Sequence, residues 1–366
     1  MTFHHVGLVV HGGRGEAVAA AQSVQAWCAE RSVKCAEVDV WADSAGGSTR
    51  PEQGELHSAG GPDLYVTLGG DGTFLRGAQL AAESDALILG VDLGRVGFLT
   101  EVPARCVRAA LEAVYDGTVE VESRMLLTLR ASCPLEIPVD IEPLLNYSRT
   151  SPSRTSQLRL NCETSEDWGL ALNLLALNDV VLEKLSRDRQ VSVGVYLAGR
   201  LLASYSADAL LVATPTGSTA YSFAAGGPVI SPRAEGIVFT PVAAHMAFNR
   251  SVVTAPDEPV ALRVLERSGQ AAVSIDGQLR GVLNPGDWIG VYAAPYRLKA
   301  ARLGPMDFYG RLRDRLRLTD APAALADGTP APLWPVSTPR PKDLAHLALP
   351  ELPGEVQHRV DQAAGD

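Results

Sequence analysis

The stretch from Leu64 to Leu75 reads LYVTLGGDGTFL, an apolar run followed by three glycines around one aspartate, Asp71. The apolar run predicts a buried strand, and residues Thr73 to about Ala82 predict a helix directly after it. Glycines let backbone amides approach a polyanion, and the free N–H groups of a helix start attract phosphate oxygens. The stretch predicts a phosphoryl-transfer loop whose aspartate accepts a proton or holds a metal ion, with a capped strand-to-helix turn as the alternative.

Outward from this stretch, short apolar strands alternate with helices in the first third of the chain. The predicted elements are a strand at Val6–Val10, a helix at Glu16–Glu30, a strand near Lys34–Val40, a strand at Ala86–Val91 and a helix whose first residue is Pro103. Such alternation is typical of a parallel sheet covered on both faces. We therefore predict a doubly wound α/β domain over residues 1–122.

After Val119 the pattern changes to alternating, β-branched runs separated by turns. The predicted strands include Met125–Arg130, Ala176–Leu182, Val191–Leu197 and Ala209–Ala213. These runs predict a β-rich domain over 123–304, with a surface insertion at about 133–168. A helix is expected over 305–318, and a Pro- and Ala-rich tail follows over 319–366.

Composition excludes several classes of protein. The 366 residues are 46% hydrophobic, yet no apolar stretch approaches the roughly 18 residues of a membrane span. The first residues do not resemble a signal peptide, so we expect a cytoplasmic protein without a membrane partner. Five scattered cysteines argue against a disulfide framework or a zinc knuckle. A net charge of −10 argues against a nucleic-acid partner.

The commonest nucleotide-binding and hydrolase motifs are absent from the sequence. No lysine follows a glycine, so there is no G-x-x-x-x-G-K-[ST] loop. The third glycine of G-x-G-x-x-G is replaced by Leu75 in one candidate and by Val18 in the other. Neither G-x-S-x-G nor H-E-x-x-H occurs. The Asp71 turn remains the leading candidate for chemistry.

Four further segments extend the pattern set by the Asp71 turn. They are GVDLGRVGFLTE from Gly90, ALNDVVL from Ala176, ADALLVATPTGSTAY from Ala207 and SIDGQ from Ser274. With the Asp71 turn, and in this order, they resemble the bacterial type of the ATP-dependent NAD kinase family over most of the chain. The lipid and sphingoid-base kinases have a similar aspartate turn, so that turn alone does not choose between the families.

The resemblance implies a reaction in which ATP phosphorylates the 2′-hydroxyl of the adenosine ribose of NAD to give NADP. Asp71 resembles the family's proton acceptor, with Mg²⁺ neutralising the phosphates. Gly72 is expected to let the dinucleotide approach, and Arg76 matches a phosphate contact, although a solvated helix-face arginine is the plain alternative. The implied fold has a second, β-sandwich-like domain, with the dinucleotide in the crevice between the two domains. Members of the family typically form homodimers or homotetramers.

The other candidate residues are expected to bind the dinucleotide. Asn178 and Asp179 suit the hydroxyls of a ribose, because an amide and a carboxylate can accept and donate hydrogen bonds there. Many relatives carry Glu at the second position, so Asp179 shortens the reach by one methylene. The remaining predicted contacts are Phe98, Arg189, Asp208, Thr219, Ala220, Tyr221, Ser222, Ala224 and Gln278.

Plain structural alternatives exist for several of these residues. Phe98 could equally be a core phenylalanine, and Gln278 follows Asp276-Gly277, a good hairpin turn. Two other functions also stay open: a lipid kinase that uses the same aspartate turn, and a non-catalytic dinucleotide sensor. A lipid kinase would have no use for Asn178-Asp179 beside an aromatic Tyr221, whereas a sensor would have no need of Asp71.

Overall fold

The computed structural model describes residues 3–11, 15–38, 61–94, 97–138, 169–185, 189–304, 306–316 and 318. The predicted insertion lies outside these ranges from residue 139 to 168, and the predicted tail over 319–366 lies outside them entirely. The chain up to Leu303 forms one compact unit. Within the described ranges, no helix has the length and apolarity needed to cross a membrane.

The first half of this unit is built on a mixed, mostly parallel sheet. Its described strands are β1 (His5–Val10), β2 (Lys34–Glu37), β3 (Leu64–Leu68), β4 (Leu87–Asp92), β5 (Val102–Pro103), β6 (Glu120–Arg124) and β19 (Leu298–Arg302). The spatial order is β2-β1-β3-β4-β19-β6, with β5 beside β4. Among these described strands, only β6 runs antiparallel to its neighbour, β19.

Helices cover both faces of this sheet. Helix α1 (Gly15–Glu30) and helix α3 (Val107–Tyr115) share one buried cluster with β1, β3 and β4. Helix α2 (Asp71–Glu83) covers the opposite face, where its Phe74 joins a cluster that includes Leu175 and Leu177 of the β-rich half. The doubly wound architecture predicted from the sequence is confirmed, and α2 is the helix that faces the second domain.

Two antiparallel sheets form the second domain, as predicted. One has the order β11-β10-β15-β18-β7-β8 and the other β14-β13-β12-β9-β16-β17. The strands are β7 (Leu127–Ala131), β8 (Leu170–Ala176), β9 (Asp179–Lys184), β10 (Val191–Leu197), β11 (Arg200–Ala207), β12 (Ala209–Ala213), β13 (Ile237–Val242), β14 (Val252–Thr254), β15 (Val260–Val264), β16 (Ala271–Ile275), β17 (Gln278–Leu283) and β18 (Trp288–Ala293). Alternate residues of both sheets share one buried core, so the sheets pack face to face as a sandwich.

The starts of two helices differ from the prediction. Helix α2 begins at Asp71 instead of Thr73, because the carbonyl of Gly70 already accepts the N–H groups of Thr73 and Phe74. Pro103 is not the first residue of an α-helix. It pairs with Asp92 in β5 and is followed by a 3₁₀ turn at Ala104–Cys106, so α3 begins only at Val107.

The predicted strand Ala176–Leu182 is in fact two strands that belong to different sheets. Strand β8 ends at Ala176 and β9 begins at Asp179. The intervening backbone cannot continue a ladder, because the carboxylate of Asp276 accepts the N–H groups of Leu177, Asn178 and Asp179. A side chain almost one hundred residues away therefore breaks the strand.

The chain also returns to the first sheet late in the sequence. Strand β19 inserts between β4 and β6, and β6 itself extends to Arg124. The predicted boundary at residue 122 therefore falls within β6. Beyond Leu303 a second unit begins, whose described helix is α5 (Phe308–Leu316); its predicted return to the first domain stays a prediction.

Candidate active site

Asp71 stands where strand β3 gives way to helix α2, and a backbone segment wraps around its carboxylate. Its Oδ2 accepts the N–H of Phe98 at 2.9 Å. Its Oδ1 accepts the N–H groups of Leu99 at 3.1 Å and Thr100 at 3.2 Å. These bonds fix the orientation of the carboxylate at the start of the helix. They also join the Asp71 turn to the segment from Gly90 to Glu101, which forms a separate motif in the sequence.

A second aspartate, Asp92, holds the segment that surrounds Asp71. The hydroxyl of Thr100 lies 2.8 Å from Oδ2 of the buried Asp92 and accepts the N–H of Gly97 at 3.1 Å. The N–H of Gly94 donates to Oδ1 of Asp92. Asp92 therefore holds Gly94 and Thr100, and Thr100 belongs to the segment that surrounds Asp71. This role of Asp92 was not predicted, although Asp92 lies in the segment from Gly90 that belongs to the motif pattern.

The other predicted residues of this half lie beside Asp71. Gly72 is exposed, and a Cβ built on it would have no protein atom within 4 Å. Phe98 and Arg76 are half-buried, with Arg76 one helical turn beyond Gly72. The surface at the start of α2 is thus open above Gly72 and rigid at Asp71, the arrangement that a close-approaching polar ligand needs.

The turn between β8 and β9 carries Asn178 and Asp179. Asn178 is half-buried and Asp179 is 5% exposed. The turn is fixed by Asp276, whose carboxylate oxygens accept three successive N–H groups at 2.7 to 3.1 Å. Asp276 and Gly277 have positive φ angles and form the hairpin turn between β16 and β17, which confirms that alternative reading of the segment.

Two carboxylates thus lie together in a poorly solvated place. Burial and the charge of Asp276 raise the pKa of Asp179 to about 7. Burial also raises the pKa of Asp276 to about 6, against the opposing effect of its three N–H donors and of Arg280. A carboxylate whose pKa is raised close to neutral pH is a candidate functional group.

The second glycine-containing turn, from Thr214 to Tyr221, packs directly on the Asn178 turn. The hydroxyl of Thr214 donates to the carbonyl of Leu177 at 2.5 Å and accepts the N–H of Gly217 at 3.0 Å. A Cβ built on Gly217 would lie 2.0 Å from the carbonyl oxygen of Asn178. Only glycine fits there, so the two predicted ligand-binding turns are locked together by their backbones.

A short helix, α4 (Tyr221–Ala224), follows this turn and presents the predicted ring-binding residues. Tyr221 and Ala224 are exposed, and Thr219 and Ala220 are half-buried. Burial and the charges of Glu183, Asp179 and Asp208 raise the pKa of Tyr221. Ser222 differs, because its hydroxyl is fully buried and lies 2.9 Å from the hydroxyl of Thr240.

The last three predicted contacts are less closely tied to the two turns. Asp208 lies between β11 and β12, and its carboxylate pairs with Lys184 at 2.7 Å. Gln278 is half-buried at the start of β17, directly after the hairpin turn. Arg189 is exposed, at the edge of a segment outside the described residues. Their ligand contacts stay predictions.

Sequence reasoning missed the residues that hold the site from a distance. Asp276 holds a turn almost one hundred residues away, Gly97 packs against Asp71, and Asp92 holds Thr100 eight residues further on. A buried pair of arginines, Arg124 and Arg302, was also missed. Buried arginines are rare enough to signal a function, but no local pattern distinguishes these two from exposed arginines.

Comparisons with known proteins show which family this chain resembles. The model of the ATP-NAD kinase N-terminal domain matches residues 6–119, and that of the ATP-NAD kinase C-terminal domain matches residues 177–303. NAD kinase 1 of Streptomyces coelicolor is 72% identical over 366 residues, which is 100% of this chain and 98% of that protein. The NAD kinase of Heliobacterium modesticaldum is 33% identical over 85% of this chain and 98% of its own length.

Solved structures share the fold. A yeast NADH kinase complexed with NADH superposes with a TM-score of 0.64 at 19% identity, covering 88% of this chain and 89% of that one. An NAD kinase from Archaeoglobus fulgidus in complex with ATP gives a TM-score of 0.57 at 20% identity, covering 86% and 98%. With both family domains matched and close relatives aligned over nearly their whole length, this chain belongs to the ATP-NAD kinase family.

Proposed function

We propose that this kinase transfers the terminal phosphoryl group of ATP to the 2′-hydroxyl of the adenosine ribose of NAD. A new bond forms between the ribose oxygen and the γ-phosphorus, and the bond from that phosphorus to the β,γ-bridging oxygen breaks, with ADP leaving. The hydroxyl proton passes to the carboxylate of Asp71. The observation that carries the proposal is the fixed Asp71 carboxylate at the open start of helix α2.

Asp71 keeps capacity for a substrate hydroxyl. A carboxylate has about four lone-pair positions. Among the described residues, backbone N–H groups occupy two positions on Oδ1 and one on Oδ2. Oδ2 can therefore accept a ribose hydroxyl without losing the segment that holds it. Because phosphoryl transfer depends mainly on positioning, a carboxylate fixed in this way serves the reaction by aligning the hydroxyl as well as by accepting its proton.

The dinucleotide is proposed to lie along the two locked turns. Asp179 and Asn178 would receive hydroxyls of the ribose, and Tyr221 offers an aromatic face to a base or nicotinamide ring. Tyr221 is 42% exposed, so this face is accessible. Its neighbours Thr219, Ala220 and Ala224 would line the same surface, and Asp208 would receive a carboxamide or base amine. Arg76 would contact phosphate.

The described residues do not offer a resident cage for Mg²⁺. They contain no group of three or more His, Cys, Asp or Glu side chains that could hold a metal ion. Asp71 and Asp92 both already accept hydrogen bonds from the segment between them. Mg²⁺ commonly keeps its waters and binds through nucleotide phosphates. Mg²⁺ would therefore enter the site with ATP, bound through the phosphates, and would neutralise their charge.

Contact between copies of the chain is proposed for the edge of the sandwich. Leu201 and Leu202 of β11 are exposed, and so is Val253 of β14. Val253 and Arg200 of β11 also line one groove. Exposed apolar groups concentrated at sheet edges favour association. Light scattering on the wild type and on Leu201→Glu tests this proposal; a homo-oligomer that dissociates in the variant supports it, and a monomeric wild type contradicts it.

The deciding experiment measures NADP formation from ATP, Mg²⁺ and NAD by coupling to an NADP-specific dehydrogenase. Parallel arms replace NAD with NADH and ATP with polyphosphate. Asp71→Asn is expected to lower turnover by roughly 10²- to 10⁴-fold while retaining NAD binding. Asp63→Asn is the matched control, because the carboxylate of Asp63 also accepts two backbone N–H groups, from His4 and His5, but lies before β3 at the opposite end of that strand.

The outcomes separate the candidate functions. NADP formation that needs ATP and Asp71 but not Asp63 supports the kinase mechanism. Near-normal turnover in Asp71→Asn would remove Asp71 as proton acceptor. No NADP in any arm, from a folded protein that binds NAD, would indicate a sensor. No product and no NAD binding would direct the search to lipid substrates.

A further inference from the structure

Three buried charged side chains and the half-buried Glu122 lie together where the two domains meet. Arg124 is 4% exposed, Arg302 2% and Glu101 5%. Glu122 lies between the two arginines. Its Oε2 accepts the Nε–H of Arg302 at 2.7 Å, and its Oε1 lies 2.8 Å from Nη2 of Arg124. Glu101 pairs with the other side of Arg302 at 3.3 Å.

One end of this network reaches the segment around Asp71. Nη1 of Arg302 donates to the carbonyl of Leu99 at 2.9 Å. The N–H of Leu99 donates to Oδ1 of Asp71. Leu99 is thus held on one side by Arg302 and on the other by Asp71. A change in the position of Arg302 therefore moves a hydrogen-bond donor of the catalytic candidate.

The other end reaches the turn that carries Tyr221. Nη1 of Arg124 donates to the hydroxyl of Thr216 at 3.1 Å. Thr216 directly precedes Gly217, which packs on the carbonyl of Asn178. The same network is therefore bonded to both proposed ligand-binding regions, although those regions lie in different domains.

Stability alone is a poor explanation for this cluster. Burying ions costs free energy that their mutual attraction only partly offsets, and apolar replacements of buried ion pairs are often neutral or stabilising. Burial by itself would raise the pKa of Glu122, but the charges of Arg302 and Arg124 outweigh it and lower that pKa. Glu122 therefore stays ionised and keeps both arginines oriented toward their respective loops.

We propose that Glu122 is a positioning residue that couples the two loops: through Arg302 it orders the segment 97–101 around Asp71, and through Arg124 it orders the turn 214–221. Loosening either loop then loosens the other. The assignment of ligands to the loops rests on the proposed function, but the coupling itself is a property of the fold and can be measured without turnover.

The test combines kinetics with amide hydrogen exchange followed by mass spectrometry. In Glu122→Gln, exchange is expected to rise in peptides covering 97–101 and 214–221, with turnover lowered and the KM for NAD raised by roughly threefold or more each. Glu112→Gln is the matched control. Glu112 bridges Arg31 and Trp27 between helices α1 and α3, on the other face of the sheet from α2, so its loss should not alter either loop.

Thr216→Val gives a milder variant that keeps all four charges. It removes only the hydroxyl that Arg124 contacts, and it is expected to raise exchange in the distant segment 97–101. Adding Glu122→Gln to Thr216→Val should raise the KM for NAD by a smaller factor than Glu122→Gln does in the wild type. Thr216→Val has already removed the contact between Arg124 and the turn 214–221. Effects that simply multiply would indicate two independent structural losses and overturn the coupling.

The coupling and the proposed function fail in different ways. A wild type that forms no NADP removes the proposed function, yet the exchange measurements still decide the coupling. Unchanged exchange at 97–101 in Thr216→Val, or at both segments in Glu122→Gln, overturns the coupling even if the wild type is a fully active kinase.

Discussion

A Cβ built on Gly97 would lie 1.8 Å from Oδ1 of Asp71 and 2.3 Å from its Cγ. The backbone at residue 97 therefore passes against the face of the carboxylate with no room for a side chain. This close approach is what brings the next three N–H groups within hydrogen-bond reach of Asp71. Glycine at position 97 is thus part of the site, although it contributes no functional group.

Gly97→Ala is expected to displace the segment 98–100 and to misplace Asp71. We expect turnover to fall by roughly 10²-fold or more, because small displacements of an aligned group cost about that much. Gly94→Ala is the matched control, since a Cβ there would approach only Asp92 Oδ1, at 3.9 Å. Steady-state rates and melting temperatures of both variants decide the point, and a normal rate in Gly97→Ala would mean that the segment tolerates the shift.

Gly72→Ala separates effects on the stability of the fold from effects on the binding of substrates. A Cβ at residue 72 meets no protein atom, and the residue stands in the first turn of α2, so alanine should leave stability unchanged or raise it by about 0.5–1 kcal/mol. Activity should nevertheless fall, because the methyl group would stand where NAD or ATP approaches. Urea denaturation and the KM values of both substrates measure the two effects.

The control for Gly72→Ala is Gly15→Ala at the start of α1, where a Cβ also meets nothing. It should match Gly72→Ala in stability and leave the kinetics unchanged. Unaltered KM and turnover in Gly72→Ala would contradict the close approach of a substrate to the Asp71 turn.

The sequence predicted the individual turns of this site better than the long-range contacts that hold them together. The Asp71 turn was predicted because strand, glycines and helix follow one another within a dozen residues, so local rules apply. Asp276 was predicted only as a hairpin turn. Its hold on the Asn178 turn joins residues almost one hundred positions apart, and no local periodicity records such a contact.

The pairing of strand β19 with the first sheet was not predicted, for the same reason. Residues Leu298–Arg302 fall within the predicted range of the β-rich domain, but they pair in parallel with β4 and antiparallel with β6. That topology is what buries Arg302 beside Leu99. A sequence pattern specifies which face of a strand is apolar, but not which sheet the strand joins.

Asp179 should make the stability of the protein depend on pH. Burial and Asp276 raise the pKa of Asp179 from 3.8 to about 7 in the fold. A raised folded-state pKa means that the neutral acid favours the fold. This contribution is therefore complete below about pH 4 and is lost as pH rises through 7. Asp179→Asn should be more stable than the wild type above pH 7 and should flatten this part of the curve, as measured by denaturation between pH 5 and 9.

The control for this prediction is Asp208→Asn, a carboxylate whose charge, like that of Asp179, acts on Tyr221, but which is exposed by 40% and paired with Lys184. It should not reproduce the gain in stability above pH 7. A wild type whose stability does not decline toward pH 8, or an Asp179→Asn variant that declines as the wild type does, would show that Asp179 is already ionised in the fold.

Asp276→Asn is expected to lower stability while it shifts this pH dependence. The side-chain amide keeps one carbonyl oxygen, so it can still accept from Asn178 and Asp179, but its NH₂ group would face the N–H of Leu177. Leaving that donor unpaired should cost about 1–3 kcal/mol. Removing the charge of Asp276 should also lower the pKa of Asp179, so the decline in stability should begin at a lower pH, while burial keeps it from disappearing.

Asp287→Asn provides the comparison for Asp276→Asn. Its carboxylate likewise accepts a backbone N–H in a hairpin turn, that of Asn284 between β17 and β18, but it does not touch the Asn178 turn. Both variants should lose stability, and only Asp276→Asn should move the pH of the decline. The same shift in Asp287→Asn would trace the effect to overall charge, whereas no shift in Asp276→Asn would mean that burial alone sets the pKa of Asp179.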